Sequence, residues 1–72
     1  MTDTNMLEKK IQESGLMKKH IAQLLNITPY CLAQKISNES EFKASEISIL
    51  CEVLNVKTLK EKEAIFFKSK VD

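Results

Sequence analysis

The chain has 72 residues, of which 43% are hydrophobic and 29% are charged, and its formal net charge is +1. A chain of this length forms one small domain with a modest core and has no room for an elaborate active site. A single glycine and a single proline offer little turn chemistry for strands, so we predict an all-α fold. We expect one domain over residues 1–72, with frayed ends at about residues 1–4 and 69–72.

The chain shows no targeting segment and no metal-binding pattern. No run of apolar residues approaches the ~18 that a membrane-spanning helix needs, and residues 1–6 lack the basic and apolar regions of a signal peptide. We therefore expect a cytoplasmic protein without cofactors. Cys31 and Cys51 lack metal-type spacing, and a reducing compartment disfavours their pairing. We expect both thiols to be small fillers without a function.

The first predicted helix ends at the glycine. Asn5 and Glu8 have the spacing of a capping box, and Leu7 and Ile11 form an apolar stripe. Gly15 can then close the helix in the left-handed conformation.

The second and third predicted helices are joined by a tight turn. Helix two runs from about Lys18 to Leu25, and Asn26 ends it because asparagine enters the left-handed region at low cost. Thr28 can cap free backbone N–H groups, and proline is favoured at the first helical position. Helix three is therefore predicted from Pro29 to about Ile36.

A polar loop over residues 37–41 separates helix three from helix four, which begins near Ser45. The inward face of helix four has apolar residues at i, i+3, i+4 and i+7, namely Ile47, Leu50, Cys51 and Leu54. Asn55 ends this helix. The spacing of Thr58 and Glu61 predicts another capping box at the start of helix five. The apolar residues of helix five are Leu59, Ala64, Ile65, Phe66 and Phe67.

The helical spacing also predicts which side chains form the core. They are Leu7, Ile11, Ile21, Ala22, Leu25, Ile27, Leu32, Ile47, Leu50, Cys51 and Leu54.

The segment from Ala22 to Leu32 resembles the helix-turn-helix of the Cro and phage-repressor class. Ala22 lies four residues before Asn26, Ile27 follows, and Leu32 points inward on the second helix. In that family the left-handed turn position is usually glycine, so Asn26 is a departure, although a sterically permitted one. Apolar helices joined by a polar turn also occur as plain structural hairpins. The resemblance implies a compact five-helix domain of the helix-turn-helix type.

The sequence offers no arrangement for catalysis, and we expect no enzyme and no small-molecule substrate. His20 is the only histidine, and we expect it on the surface of helix two. The carboxylates Glu8, Glu13, Glu61 and Glu63 lie among lysines at helix-surface spacing, which is typical of a solvated face.

The outer face of helix three bears on the choice between a DNA partner and a protein partner. In the helix-turn-helix family, residues after the turn read base edges in the major groove. Carried over, these positions are Thr28, Pro29, Tyr30, Ala33 and Gln34. Only Gln34 has an amide that pairs with adenine, and all 11 basic residues are lysines, so the common arginine-to-guanine contact is missing. The possible DNA or anion contacts are Lys18, Lys19, Thr28, Gln34 and Lys35.

Apolar side chains exceed what one small core can take up. Tyr30 to Ala33 cannot all face inward on one helix, and neighbours such as Phe66 and Phe67 cannot both enter the same core. Phe42 either folds back over helices three and four or stays exposed. Aromatic anchors supply much of the energy of protein interfaces. The candidate partner-binding residues are Tyr30, Ala33, Gln34, Phe42, Phe66 and Phe67.

Longer segments resemble the modulators of repression, which are small antirepressors of temperate phages of Gram-positive bacteria. The resemblance lies in NMLEKKIQESGLMKKHIAQLLNIT, NESEFKASEISILCEVLNV and EKEAIFF. It implies a protein of the bacterial host cytoplasm that binds the N-terminal helix-turn-helix domain of the main phage repressor and blocks operator binding. The lysis–lysogeny decision would then turn towards lysis, and operator DNA would be contacted weakly or indirectly. The alternative is a Cro-like repressor that binds operator DNA directly or as a co-repressor.

Overall fold

The computed structural model describes residues 1–68, and its regular secondary structure there is helical, without a strand. The helices are α1 (Thr4–Ser14), α2 (Lys18–Leu24), α3 (Pro29–Ile36), α4 (Ala44–Val53) and α5 (Leu59–Phe66). The predicted all-α fold class is confirmed for these residues. The predicted frayed end at residues 69–72 lies outside the described residues.

Left-handed residues end three of the helices where the sequence predicted an end. Gly15 has φ 75°, Asn26 has φ 59° and Asn55 has φ 61°. The backbone N–H of Gly15 donates to the carbonyl of Gln12 at 3.2 Å, which closes α1. Asn38, with φ 69°, is a further left-handed residue that the sequence had placed only in a polar loop.

The N-caps agree with the predictions for α3 and in part for α5. Thr28 Oγ1 accepts a hydrogen bond from the backbone N–H of Cys31 at 3.1 Å, and Thr58 Oγ1 accepts one from Glu61 at 3.1 Å. The side chain of Glu61 does not complete the predicted capping box. It forms an ion pair with Lys10 at 2.8 Å, which joins α5 to α1.

The predicted start of α1 needs correction, whereas α4 begins close to the predicted residue. Asp3, and not Asn5, caps α1, because its Oδ1 accepts from the backbone N–H of Met6 at 3.1 Å and the helix begins at Thr4. Aspartate and asparagine cap about equally well, so residue type alone does not tell which of the two begins the helix. Helix α4 begins one residue before the predicted Ser45, where Glu46 accepts from the backbone N–H of Lys43 at 2.8 Å.

The core lies between all five helices and contains most of the predicted side chains. Ile27 and Cys51 are the exceptions, since both are half-buried and pack against its edge. The buried members that the sequence also predicted are Leu7, Ile11, Ile21, Ala22, Leu25, Leu32, Ile47, Leu50 and Leu54. The core further includes Ile36, Val56, Ile65 and Phe66.

The N-terminal segment, residues 1–4, is hydrogen-bonded to the end of α3, although the sequence predicted fraying there. Thr2 is buried, and its backbone N–H and carbonyl each bond the side-chain amide of Asn38 at 2.8 Å. Thr4 Oγ1 donates to the carbonyl of Ile36 at 2.6 Å. The predicted fraying could not take these bonds into account, because their partners lie more than thirty residues away in the chain, at separations of 36 and 32 residues.

Candidate functional site

The outer face of α3, formed by Tyr30, Ala33 and Gln34, is the first group of predicted contact residues. Tyr30 is 71% exposed and Ala33 is exposed, whereas Gln34 is half-buried. Gln34 Nε2 donates to the Tyr30 hydroxyl at 3.3 Å, as expected of neighbours four residues apart on a helix. The face therefore presents one large aromatic side chain, Tyr30, whose hydroxyl accepts a hydrogen bond from the neutral amide of Gln34.

Lys35 was predicted as a possible DNA or anion contact, and the structure contradicts this because its side chain is buried. Its Nζ lies 2.6 Å from Glu46 Oε1, and the side chains of Lys35 and Glu46 are only 11% and 7% exposed. The pairing partner lies on α4, eleven residues further along the chain. The sequence pattern of α3 alone therefore could not predict that Lys35 pairs with Glu46.

Glu46 holds two donors with one oxygen, the ammonium of Lys35 and the backbone N–H of Lys43. Burial raises the pKa of Glu46, but the hydrogen bonds from Lys35 and Lys43 and the charges of these lysines outweigh burial. The pKa of Glu46 therefore lies below its ordinary value. Glu46 therefore stays ionised at neutral pH, and its bond to Lys35 links α3 to the start of α4.

Thr28, also predicted as a possible DNA contact, uses its hydroxyl to cap α3. At the start of α2, Lys18 forms an exposed ion pair with Glu8 at 2.8 Å, and Lys19 and His20 are exposed. The predicted anion contact at Lys18 and Lys19 is thus reduced by the carboxylate of Glu8. Helix α2 has 7 residues, and the side chain of its N-cap residue makes no capping bond.

The phenylalanines form a second group. Phe66 is only 4% exposed and belongs to the core, while its neighbour Phe67 is 57% exposed. Phe42 is half-buried and packs edge-on against Phe66, with ring centroids 5.8 Å apart and planes at 85°. Phe42 therefore folds back over the core, and Phe66, predicted as a partner contact, is a core side chain that leaves little surface for a partner.

A cleft of about 90 Å³ opens beside these rings. We call it the aromatic cleft. Its lining residues are Met1, Thr2, Asn38, Glu41, Phe42, Ile47, Phe66 and Phe67. The lining does not include Tyr30, Ala33 or Gln34. The structure therefore divides the predicted partner-binding residues into two groups, one on the outer face of α3 and one at the aromatic cleft.

The sequence did not predict several other exposed apolar side chains. Met17 and Leu59 are 71% and 68% exposed, and Leu24, which shares helical spacing with the buried face of α2, is 42% exposed. Helical spacing places a residue on a face but does not tell how wide the contact with the neighbouring helix is, so the side chains at its edge cannot be assigned from the sequence.

Within residues 1–68, no group of side chains has the composition of a metal site, and no helix is long and apolar enough to cross a membrane. Cys31 and Cys51 are free and half-buried, although the sequence predicted Cys51 in the core. Burial raises the pKa of the Cys51 thiol, which favours its unreactive form.

Comparison of the chain with protein-family models, with curated proteins and with solved structures found no match.

Proposed function

We propose that this chain is an antirepressor that binds the DNA-binding domain of a phage repressor and prevents that domain from binding its operator. The proposal includes a helix-turn-helix of the Cro and repressor type formed by α2, the turn at Asn26 and α3. The order of these elements, the packing of α2 against α3 and the left-handed Asn26 support it.

The burial of Lys35 is the observation that carries the proposal. Lys35 is the only charged residue of α3, and its ammonium is used by Glu46. The outer face of α3 therefore lacks the cation that reads guanine, and its one base-reading group, the amide of Gln34, donates to the Tyr30 hydroxyl. Phosphate contacts supply most of the nonspecific affinity for DNA, whereas exposed aromatic side chains are typical anchors of protein interfaces.

The proposal is tested with the isolated DNA-binding domain of a phage repressor. Adding the chain should release that domain from a labelled operator fragment, and calorimetry should show a direct complex without DNA. Tyr30→Ala should weaken the complex by ~2 kcal/mol or more if Tyr30 is a central anchor. Leu59→Ala is the matched control, because Leu59 is 68% exposed against 71% for Tyr30 but lies at the start of α5. The absence of any complex with the wild-type chain would refute the proposal.

The alternative function is that of a Cro-like repressor that binds operator DNA itself. The exposed side chain of Lys19 near the start of α2 favours it, because an exposed cation can meet a phosphate. The same experiment separates the two functions, since a Cro-like protein would retard the operator fragment without the repressor domain.

A further inference from the structure

We propose that the aromatic cleft receives one aliphatic side chain of the repressor domain, next to a basic residue of that domain that pairs with Glu41. This inference rests on the proposed function and adds to the outer face of α3 a second point of contact with the same partner.

The size and lining of the cleft favour an aliphatic side chain. The walls include the rings of Phe42 and Phe67 and the side chain of Ile47, and the volume is about 90 Å³. An apolar cavity of ~150 Å³ holds one benzene molecule. The cleft is therefore of the size of a single side chain, and its two rings and Ile47 offer apolar contacts to an aliphatic one.

The walls of the cleft are fixed before any partner arrives. The side-chain amide of Asn38 bonds the backbone of Thr2 twice, at 2.8 Å each. The Met1 ammonium donates to the carbonyl of Lys68 at 3.2 Å, and the N–H of Lys68 donates to the carbonyl of Met1 at 2.8 Å. The N–H of Asp3 donates to a carbonyl of α5 at 2.6 Å. A site whose walls are already ordered loses little conformational entropy on binding.

Glu41 gives the cleft a carboxylate that a basic residue of a partner can pair with. Glu39, two residues earlier, is exposed. The cations nearby are Lys68, which pairs with Asp3 at 3.5 Å, the Met1 ammonium, which donates to the carbonyl of Lys68 at 3.2 Å, and the exposed Lys43. A repressor domain presents a basic face to DNA. Such a face is attracted by Glu39 and Glu41 and repelled by the lysines at the start of α2.

One partner can reach both the cleft and the outer face of α3. Tyr30 and Gln34 share a face of α3 with Ser37, which is exposed and directly precedes Asn38 at the cleft. From Tyr30 to Ser37 the helix rises by only ~10 Å. A standard interface covers ~800 Å² on each partner, which is ample for both groups.

Asn38→Gly tests the cleft without changing the left-handed backbone. Glycine accepts the φ of 69° at this position, so the variant removes only the amide that holds Thr2. Asn55→Gly is the matched control at another left-handed asparagine, with φ 61°, outside the cleft lining. We expect Asn38→Gly and Phe67→Ala to weaken repressor binding about tenfold, and Asn55→Gly to leave it unchanged. Glu41→Gln should slow association and reduce its salt dependence.

Amide NMR of the labelled wild-type chain gives a readout that does not depend on the stability of any variant. On titration with the repressor domain, the side-chain amide of Asn38 and the backbone amide of Phe67 should shift. Complex formation with neither shift, or with loss of affinity only in Tyr30→Ala, would overturn the cleft inference and leave the proposed function standing. If Phe67→Ala abolishes self-association of the chain but not repressor binding, the cleft belongs to a second copy and the inference is wrong. Absence of any complex would refute both.

Discussion

The Lys35–Glu46 pair places two opposite charges almost out of contact with water. Taking two charges out of water costs several kcal/mol for each ion unless the geometry and further hydrogen bonds are good. Here Glu46 Oε1 lies 2.6 Å from Lys35 Nζ and 2.8 Å from the backbone N–H of Lys43, so the carboxylate accepts two donors. The pair fixes how α3 meets the start of α4 and removes the only cation of α3 from its outer face.

Replacing Glu46 by glutamine should therefore destabilise the fold at neutral pH. Glu46→Gln leaves the ammonium of Lys35 buried without a counter-charge, and we expect a loss of ~3 kcal/mol in the free energy of unfolding. Urea denaturation at pH 7 measures this loss. Glu52→Gln, an exposed carboxylate on the same helix, is the control and should change stability by no more than ~0.5 kcal/mol. Equal effects of the two variants would contradict the prediction.

The same pair predicts a pH dependence. Folding lowers the pKa of Glu46 below its value in the unfolded chain, which is ~4.3. The stability from this group is therefore fully present above that value and is lost as the pH falls through the lower, folded pKa. The difference in stability between the wild type and Glu46→Gln should shrink over this acid range. A difference that stays constant from neutral pH to the acid transition would contradict this assignment.

At the scale of the elements, α3 depends on a cap that the sequence also allowed as a DNA contact. Thr28 Oγ1 accepts the N–H of Cys31 at 3.1 Å. Thr28→Ala should cost ~1 kcal/mol of stability, and Thr28→Ser should retain most of it because serine supplies the same oxygen. Thermal unfolding followed by circular dichroism measures both. If Thr28→Ala weakens partner binding while its stability is unchanged, Thr28 is a contact residue and not a cap.

The helix ends were predictable because their signals act over a few residues. The Thr28–Pro29 start and the left-handed asparagines Asn26 and Asn55 all lie where the sequence placed them. The cleft was not predictable, because it depends on partners far apart in the chain. Asn38 and Thr2 are separated by 36 residues, and no local pattern marks one as the partner of the other.

The assignment of the aromatic residues shows the same limit. The sequence required that one of Phe66 and Phe67 face the core, since adjacent helical positions point about 100° apart. Which of them does so depends on the position of α5 against Phe42 and the N-terminal segment, which only the folded chain determines. For Lys35, the missing information was a carboxylate on another helix.

At the scale of the whole molecule, one small core holds the five helices together. Leu50 is 1% exposed and lies on α4 among the largest buried side chains. Leu50→Ala should lower the free energy of unfolding by ~2 to 5 kcal/mol. This is a large share of the ~4 to 11 kcal/mol expected for a domain of this length.

Ile49 provides the control for Leu50. It is the preceding residue of the same helix but is 37% exposed, so Ile49→Ala should cost much less, ~1 kcal/mol or below. Urea denaturation measures the free energy of unfolding of both variants. If this free energy falls equally steeply with urea concentration in both, the difference between them comes from core packing and not from a change in the unfolded chain. If Leu50→Ala unfolds at the same urea concentration as Ile49→Ala, the core lies elsewhere.

The charge of the whole molecule determines what it can do with DNA alone. The net charge is +1 and all 11 basic residues are lysines. Lys35 is buried, and the ammonium groups of Lys10 and Lys18 are each met by a carboxylate at 2.8 Å. Lysines attract phosphates but carry little of the two-pronged geometry that distinguishes one base from another.

We therefore expect the isolated protein to bind operator fragments weakly, with a dissociation constant on the order of 10⁻⁵ M, and with little preference over a scrambled duplex of equal length. Fluorescence anisotropy at several salt concentrations measures both properties. Affinity should fall steeply as salt rises, and Lys19→Gln should reduce the slope of this dependence by about one if this exposed lysine meets a phosphate. Nanomolar, sequence-selective binding at physiological salt would instead establish the Cro-like alternative, because lysine contacts to phosphate without base-reading groups cannot provide that selectivity.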